Sequence, residues 1–205
     1  MEYENDYEFN SKVSKIYKER IAPYVKNYKV LDLGCAGGEY LQHFSSDSLG
    51  LDFSDNNLEK VKSLGLRALK VDLNNLPSLN EKFDVVFASH ILEHVENPIN
   101  LLRFCNKSLK RDGIIILSLP NEQSLIHYLY PYFTNDGNHL YAFTEDNIRE
   151  LLQYTNFEVK DFFYEYNTAL TKKLYLDSML QIVDYMPDVL KRKIGWAHWC
   201  IAKKI

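Results

Sequence analysis

Cysteine is scarce in this sequence and forms no recognisable pattern. The three cysteines, Cys35, Cys105 and Cys200, are widely separated and include no Cys-x-x-Cys pair. Disulfide frameworks and cysteine zinc sites use several cysteines at regular spacings. The scarcity argues against both, and it predicts reduced thiols in a cytoplasmic protein.

Long apolar runs and a strong net charge are also missing. No stretch approaches the about 20 apolar residues of a transmembrane helix, and the N-terminal segment is too polar for a signal peptide. The net charge is −4, so no broad positive field attracts nucleic acid or anionic lipid. We therefore expect no membrane span, no nucleic-acid partner and a small-molecule or neutral substrate.

The composition that is present is that of an ordinary globular protein. Hydrophobic residues make up 46% and charged residues 25% of the 205 positions, which argues against long disorder. This length suits one domain with a substantial core. We predict a single domain over residues 1–205.

A glycine-rich turn after an apolar run is the most informative feature. Val30–Leu33 predicts a buried parallel strand, and Gly34, Gly37 and Gly38 follow it at once. Glycine permits a ligand to approach the backbone closely, and a helix beginning near Gly38 would present unpaired N–H groups. The turn predicts a pocket for an adenosine-bearing molecule; an ordinary strand-to-helix turn is the alternative.

Three further strand ends supply polar groups to the same predicted pocket. Asp52 ends the second strand 20 positions after Asp32, where a carboxylate can accept both ribose hydroxyls, and Phe53 offers a face to the purine. Asp72-Leu73 closes the third strand and could bind the adenine edge, or simply form a turn. Ser89-His90 ends the fourth.

Strand and helix patterns alternate along the chain, which predicts a doubly wound, mostly parallel seven-stranded α/β sheet. The seventh strand is expected at the sheet edge, antiparallel if it pairs beside the sixth. The predicted strands are 30–33, 48–53, 66–71, 83–90, 113–119, 157–163 and 196–202. The predicted helices are 40–44, 56–64, 98–109 and 148–154, and a turn at 111–113 ends the third of these. A further helix, which contains Ile91, Leu92 and Val95, is predicted after the fourth strand.

Three segments lie outside this alternation. An amphipathic helix over about 8–25 could form a lid, with Tyr17 and Arg20 facing a ligand or merely packing. A helical insertion is predicted over about 170–193. Between 122 and 143 the periodicity fails, and aromatic residues predict a cover on the substrate side. These are Tyr128, Tyr130, Tyr132, Phe133, His139 and Tyr141.

Taken together, these segments resemble the class I S-adenosylmethionine-dependent methyltransferases, especially the small ubiquinone-biosynthesis-type branch. The matching segments are Val30–Gly38, Gly50–Ser54, Phe83–Val95, Leu109–Gly113 and His139–Thr144. The resemblance covers roughly Val30 to Val159 in order and spacing, which is more specific than any single motif. It departs from the family pattern at Ala36, commonly glycine, and at Asp112 in the turn before the fifth strand.

The resemblance implies a Rossmann-like methyltransferase fold and S-adenosylmethionine as cofactor, with S-adenosylhomocysteine as product. By the same resemblance, the cofactor-binding residues are Gly34 and Ala36 at the methionine portion, Asp52 at the ribose, Phe53, Asp72 and Leu73 at the adenine, and the backbone near Ser89 at the amino group. Because the methyl group is already activated, alignment with the acceptor carries much of the reaction and no metal is expected.

An oxygen acceptor would also need a general base, for which histidine is suited. The candidates are His139, then His90, then His94, each with a structural role as the alternative. The acceptor is expected to be a small-molecule or glycan-linked hydroxyl group, with a carboxylate or an amine as the alternative.

Other classes of protein share parts of this pattern. A nicotinamide-dependent oxidoreductase would need glycines where the chain has Ala36 and Glu39. A nucleic-acid methyltransferase is disfavoured by the acidic charge and by the lack of an Asn- or Asp-Pro-Pro-aromatic motif after the fourth strand. A cofactor-binding module without turnover is the remaining alternative, since fold and pocket do not by themselves establish chemistry.

Overall fold

The computed structural model describes residues 20–125, 139–165 and 186–205. The strands are β1 (Val30–Leu33), β2 (Leu49–Asp52), β3 (Ala68–Lys70), β4 (Phe83–Ser89), β5 (Leu109–Pro120), β6 (Phe157–Glu165) and β7 (Ala197–Lys204). The helices are α1 (Ala22–Val25), α2 (Asp55–Ser63), α3 (Pro98–Ser108), α4 (Glu145–Tyr154) and α5 (Asp188–Ile194). Within these ranges, no helix is both long and apolar enough to cross a membrane.

All seven strands form one sheet in the order β3-β2-β1-β4-β5-β7-β6. Neighbouring strands from β3 to β5 are parallel, whereas β7 is antiparallel to both β5 and β6. The strand order reverses between β1 and β4, and ligands of such sheets bind outside the carboxyl ends of the strands at that point. The predicted fold class is confirmed.

The predicted place of the last strand is wrong. β7 lies between β5 and β6, so β6 rather than β7 forms the edge of the sheet. The reason is burial: the first six residues of β7 are all buried, whereas β6 carries exposed and half-buried positions throughout. A continuous apolar strand is stable only with neighbours on both sides and covered faces.

Two predicted helices are also wrong. The segment predicted as a helix over 40–44 contains only a 3-10 helix, Leu41–His43. Residues 91–96, after β4, form turns instead of a helix. There the backbone N–H of Leu140 donates to the carbonyl of Glu93 at 2.8 Å, so a distant segment uses an acceptor that a helix would need.

The predicted turn at 111–113 belongs to β5, which begins at Leu109 directly after α3. Asp112 has a left-handed backbone with φ 62°. The pairing with β4 changes register nearby, because Phe83 pairs with Leu109 but Val85 pairs with Ile114. The segment is therefore an irregular start of the strand, of the kind that a bulge produces.

Helix starts agree closely with the local sequence signals. The Ser54 side chain accepts from the Asn57 N–H and caps α2. Thr144 and Asn147 form a reciprocal capping box at the start of α4. Such caps satisfy N–H groups that the first helical turn leaves unpaired, which is why short polar residues mark helix starts.

Apolar side chains pack on both faces of the sheet in two clusters. One cluster lies beneath α3 and α4, and the other includes Ile21 and Val25 from the α1 segment. All three cysteines are buried and unpaired. Burial on both faces explains why the central strands read as nearly continuous hydrophobic runs.

Several predicted segments lie wholly or partly outside the described residues. These are most of the lid helix with Tyr17, most of the insertion over 170–193, and the aromatic residues Tyr128, Tyr130, Tyr132 and Phe133. Arg20 is described: it pairs with Asp161 at 2.8 Å and lies 4.0 Å from the centre of the Phe163 ring, both on β6. The single-domain arrangement with lid and insertion stays a prediction.

Candidate functional site

The turn after β1 is tied to the end of β2. The N–H groups of Gly34 and Cys35 both donate to the carbonyl of Leu51, at 2.7 and 3.0 Å. Gly34 has a left-handed φ of 66°, and a Cβ atom there would lie 2.1 Å from Cδ1 of Ile91. A side chain here would strain the backbone and displace Ile91, so the position favours glycine, as the sequence predicted for a close turn.

Asp52 joins this turn to the start of α2. Its Oδ2 accepts from the Ala36 N–H at 2.9 Å, and its Oδ1 accepts from the Ser54 N–H at 2.9 Å and from Asn57 Nδ2 at 3.2 Å. A carboxylate offers about four acceptor positions. Asp52 is thus fixed by the protein and can still accept a hydrogen bond from a hydroxyl group of a ligand.

Ala36 departs from the family pattern and has an uncommon conformation. Its φ is 47°, in the left-handed region that favours glycine. The turn therefore needs the conformation that a glycine would adopt, and the alanine methyl group imposes strain there. Backbone strain of this kind is often found at functional sites.

The purine side of the predicted pocket is open. Phe53 follows Asp52 and is 73% exposed, which leaves its ring face available for stacking. The Asp72 carboxylate accepts from the Asn74 N–H at 2.9 Å and from Asn75 Nδ2 at 2.8 Å. These bonds close the turn and use one acceptor position on each oxygen, so the exposed carboxylate can also accept from a ligand, and the adenine contact stays a prediction.

Asp32 is a candidate site residue that the sequence reasoning missed. It lies on β1, is 2% exposed, and its Oδ2 has no hydrogen-bond partner among the described residues. Burial, together with the negative charges of Glu39 and Asp52, raises its pKa well above the usual value. The available signal was an aspartate inside an otherwise apolar strand.

These observations fit the predicted cofactor. An unpartnered buried carboxylate oxygen at Asp32 suits a cationic or donating group, Asp52 suits a ribose, and Phe53 suits a purine face. The parallel strands β1 to β4 bring these carboxyl ends to one edge of the sheet. The sequence placed Gly34, Ala36, Asp52, Phe53 and Ser89 at that edge correctly.

Ser89 and His90 lie at the end of β4, as predicted. The His90 N–H donates to the carbonyl of Ser118 at 2.9 Å, and the φ of His90 is 54°. The His90 side chain is 43% exposed. A histidine held in a left-handed conformation at a strand end is positioned by the backbone, and its ring is partly exposed.

Three histidines and two glutamates meet beside β4 and β5. We call His90, Glu93, His94, Glu122 and His139 the histidine cluster. The rings of His94 and His139 meet edge to face with centroids 4.8 Å apart, and Nδ1 of His139 lies 2.9 Å from Oε1 of Glu122. The fold thus unites all three histidines predicted as general-base candidates.

Glu93 and Glu122 belong to this cluster but were not predicted as site residues. Glu93 is fully buried, with Nδ1 of His90 3.4 Å and Nε2 of His94 4.0 Å from its Oε1. Both glutamates follow strands that end at the same edge. That placement, together with the neighbouring Glu93-His94 pair, was the signal that could have identified them.

Tyr141 is anchored to the segment that precedes α3. Its hydroxyl donates to the carbonyl of Glu96 at 2.9 Å, and its ring lies 6.0 Å from that of Phe143. Both tyrosine and phenylalanine line a groove of about 700 Å³ between the start of α3 and α4. Tyr141 is 41% exposed, so it lines this groove rather than the core, and its place in the substrate cover stays a prediction.

Comparisons with known proteins agree with the predicted family. A family profile described as a methyltransferase domain matches residues 5–161. The chain is 33% identical over 107 residues to the ubiquinone biosynthesis O-methyltransferase of Haemophilus ducreyi, covering 45% of each chain. It is 34% identical over 119 residues to a tRNA U34 carboxymethyltransferase of Desulfotalea psychrophila, covering 51% of this chain and 37% of the relative. The chain thus spans less than half the length of these two relatives.

Solved structures with the same fold cover nearly the whole chain. An S-adenosylmethionine-dependent methyltransferase from Archaeoglobus fulgidus is 24% identical, with a TM-score of 0.68 over 97% of this chain and 100% of that one. Another from Mesorhizobium loti is 20% identical, with a TM-score of 0.67 over 89% and 93% of the two chains. At such identities the likeness shows the fold.

Proposed function

The chain belongs to the S-adenosylmethionine-dependent methyltransferases, and we propose that it methylates a hydroxyl group of a small-molecule or glycan-linked acceptor. Family membership confirms the predicted enzyme class and the predicted cofactor. The oxygen acceptor, the site residues and the substrate class are proposals.

Cofactor binding is assigned to the edge formed by β1, β2, β3 and β4. S-adenosylmethionine supplies an activated methyl group on a sulfonium sulfur, so the protein chiefly aligns donor and acceptor. We assign Asp52 to the ribose and Phe53 to the adenine, because one is a fixed acceptor and the other an exposed ring. Gly34, Ala36 and Asp32 then face the methionine portion, Ser89 its amino group, and Asp72 and Leu73 the adenine edge.

The histidine cluster is the observation that supports an oxygen atom as the methyl acceptor. A hydroxyl group must lose its proton to become a good nucleophile, whereas a neutral amine already carries a lone pair. His90 and His139 are the proposed proton acceptors. Nδ1 of His139 faces Glu122 at 2.9 Å, which directs Nε2 to the opposite side of the ring.

The proposed reaction is a single displacement. The acceptor hydroxyl gives its proton to a histidine nitrogen, and its oxygen forms a bond to the methyl carbon. The carbon–sulfur bond breaks and its electron pair stays on sulfur, so the sulfonium becomes a neutral thioether. The protein contributes the position of the acceptor, the proton-accepting group and exclusion of water.

Charge favours a small acceptor over nucleic acid. The chain carries a net charge of −4, and the cluster includes the carboxylates of Glu93 and Glu122. These negative charges disfavour the sugar-phosphate backbone of a nucleic acid. One relative is named a tRNA U34 carboxymethyltransferase. The test must therefore distinguish an RNA acceptor from a small-molecule or glycan-linked one.

The test is a single-turnover reaction with methyl-labelled S-adenosylmethionine and an extract of the source organism. We expect label in the small-molecule or glycan fraction, resistant to nuclease and mild alkali, and released as methyl iodide by hydriodic acid. That release is diagnostic of a methoxy group. A reaction with added S-adenosylhomocysteine serves as the inhibited control.

Variants connect the label to the proposed bases. His90→Ala and His139→Ala should each slow transfer by about 100-fold or more, the usual contribution of a general base. Either variant with an unchanged rate is removed as the base. Label in nuclease-sensitive material, or on nitrogen, would overturn the proposed acceptor.

A further inference from the structure

A cavity of about 390 Å³ lies next to the histidine cluster. Its walls come from the segment after β5, the start of α4, the edge strand β6 and the helix α5. The lining residues are Gln123, Glu145, Tyr164, Val189, Arg192 and Lys193. None of them takes part in the proposed proton transfer or cofactor binding, so the cavity is available to another part of a bound molecule.

The short segment after β5 joins this cavity to the cluster. Nδ2 of Asn121 donates to the carbonyl of Arg192 at 2.8 Å and so fixes α5 beside the end of β5. The next residue, Glu122, contacts His139 at 2.9 Å. The residue after that, Gln123, lines the cavity. Because consecutive residues serve the two regions, one molecule can extend from the cavity to the proposed bases.

The carboxylate in the cavity wall is already neutralised. Oε1 of Glu145 accepts two hydrogen bonds from Arg149, at 2.7 and 2.9 Å. Its Oε2 accepts from the Tyr164 hydroxyl at 2.8 Å. Charge-assisted pairs of this kind balance the negative charge of a carboxylate and engage both of its oxygens. Glu145 therefore leaves the cations of α5 unopposed.

Arg192 and Lys193 bring positive charge that the protein uses only in part. Arg192 lies 3.2 Å from Asp146, whose side chain is 78% exposed, so water screens this pair. A guanidinium has five N–H donors, and this contact uses one of them. Lys193 is exposed and has no ion pair with a described residue. Two cationic side chains at a cavity favour an anionic ligand.

His198 adds a buried polar atom near both regions. It is 1% exposed, and its Nε2 has no hydrogen-bond partner among the described residues. Burial lowers its pKa to about 4, and the charges of His90 and Arg192 contribute to the shift, so both lie close to it. A neutral imidazole without a partner suits a polar group of a bound molecule.

We propose that this cavity binds an anionic group of the acceptor, a carboxylate or a phosphate monoester, through Arg192 and Lys193. The inference rests on the proposed function, which places the acceptor hydroxyl group at the histidine cluster, and it narrows the acceptor to hydroxylated acids and phosphate esters. We call the cavity the anion site. Attachment there aligns the hydroxyl group without adding charge at the reacting oxygen.

Helix stabilisation is the alternative role for these cations. Lys191, Arg192 and Lys193 form the last turn of α5, where positive charge interacts favourably with the helix dipole. That role needs no ligand and makes the three side chains equivalent. The anion site instead distinguishes Arg192 and Lys193, which line the cavity, from Lys191, which does not.

The first test determines the charge of the acceptor. An extract of the source organism is separated on an anion exchanger at neutral pH, and each fraction is methylated with labelled S-adenosylmethionine. We expect acceptor activity in retained fractions. Its loss after alkaline phosphatase identifies a phosphate monoester, and its loss after amidation of carboxyl groups identifies a carboxylate. Activity confined to the unretained fraction, or activity that survives both treatments, would overturn the anion site.

Substitutions then test recognition of the anionic group. Arg192→Gln and Lys193→Gln should each raise the KM for the acceptor by about 10-fold or more, with little change in kcat, because each removes a charged contact remote from the reacting oxygen. Arg192→Lys keeps the charge and should lose less. Lys191→Gln, on the same helix, is the matched control. Equal KM values in the control and the cavity variants would contradict the assignment.

A binding measurement requires no turnover. Titration with inorganic phosphate, and separately with acetate, should shift the NMR signals of the Gln123 and Arg192 side chains at millimolar concentrations. The double variant Arg192→Gln/Lys193→Gln should lose the shift of Gln123, whereas Lys191→Gln should keep it. Absence of any shift with both anions would overturn the anion site.

The anion site and the proposed function can fail separately. Methyl transfer to the oxygen of a neutral acceptor would overturn the anion site and leave the proposed function intact. Transfer to the nitrogen of an acceptor that needs Arg192 and Lys193 would support the anion site and reject the oxygen acceptor. S-adenosylhomocysteine binding, measured by calorimetry, should be unchanged in every cavity variant, which shows that the variants are folded.

Discussion

The backbone N–H of Ala36 donates to Oδ2 of Asp52 at 2.9 Å, which couples the turn after β1 to the end of β2. Both residues were predicted to contact the cofactor, one at its methionine portion and the other at its ribose. Because one hydrogen bond joins them, a change at either residue should alter the conformation of the other. The coupling makes the cofactor edge a unit rather than a set of separate contacts.

Replacing Asp52 with alanine should weaken S-adenosylhomocysteine binding by about 1–3 kcal/mol, the usual cost of losing hydrogen bonds to a charged acceptor. The same change leaves the N–H groups of Ala36 and Ser54 without their acceptor, so stability should fall as well. Calorimetric titration and urea unfolding measure the two effects. Asp55→Ala, at an exposed aspartate of α2, is the control that should keep full affinity; unchanged binding in Asp52→Ala would remove Asp52 from the site.

Ala36→Gly tests the left-handed conformation of the turn. Glycine adopts a φ of 47° without steric cost, so the variant should be about as stable as the wild type or up to about 1 kcal/mol more stable. Ala36→Val should be clearly less stable, because a β-branched residue strongly disfavours this conformation. Urea unfolding of both variants is the measurement. A large loss of stability in Ala36→Gly would show that the alanine methyl group makes contacts that outweigh its strain.

Asp32→Asn should affect stability and ligand binding in opposite directions. Since the pKa of Asp32 is raised in the folded protein, stability is greatest where this carboxyl is protonated and is lost as the pH rises through the folded pKa. Removing the charge should stabilise the unliganded protein at pH 7.5 by about 1–3 kcal/mol, while weakening S-adenosylhomocysteine binding. Urea unfolding and calorimetry measure the pair of effects. Reduced stability at neutral pH would mean that a partner already compensates the carboxylate.

His198 should make the fold sensitive to mild acid. It is 1% exposed, its ring lies 5.2 Å from that of Phe162, and burial lowers its pKa from 6.5 to about 4. The unfolded chain therefore binds a proton first, and stability falls as the pH drops from about 6.5 towards 4.

The loss attributable to His198 between pH 7.5 and pH 5 is about 2 kcal/mol. His198→Phe, of similar shape, removes this titration and should lose correspondingly less stability over the same interval. Urea unfolding at both pH values, for the wild type and the variant, gives the difference. Equal losses in the two proteins would show that His198 is not the responsible group.

Local patterns determined much of this protein. The apolar runs of β1 and β4 and the glycine at position 34 were predicted because neighbouring residues alone decide them. Local side chains likewise decide the caps at Ser54 and Thr144. The carboxyl ends of parallel strands share one edge, so strand order along the chain was enough to place Asp52 and Ser89 in one region.

Only the tertiary structure decided which distant residues meet. The turn after β4 replaces a predicted helix because the Leu140 N–H donates a hydrogen bond to the carbonyl of Glu93. The same hydrogen bond places His139 beside His94. The place of β7 inside the sheet likewise depends on neighbours that lie far away in sequence. The sequence by itself determined the fold class and which strand ends share one edge of the sheet. Long-range packing decided the histidine cluster, since hydrogen bonds and burial between distant segments leave no local periodicity.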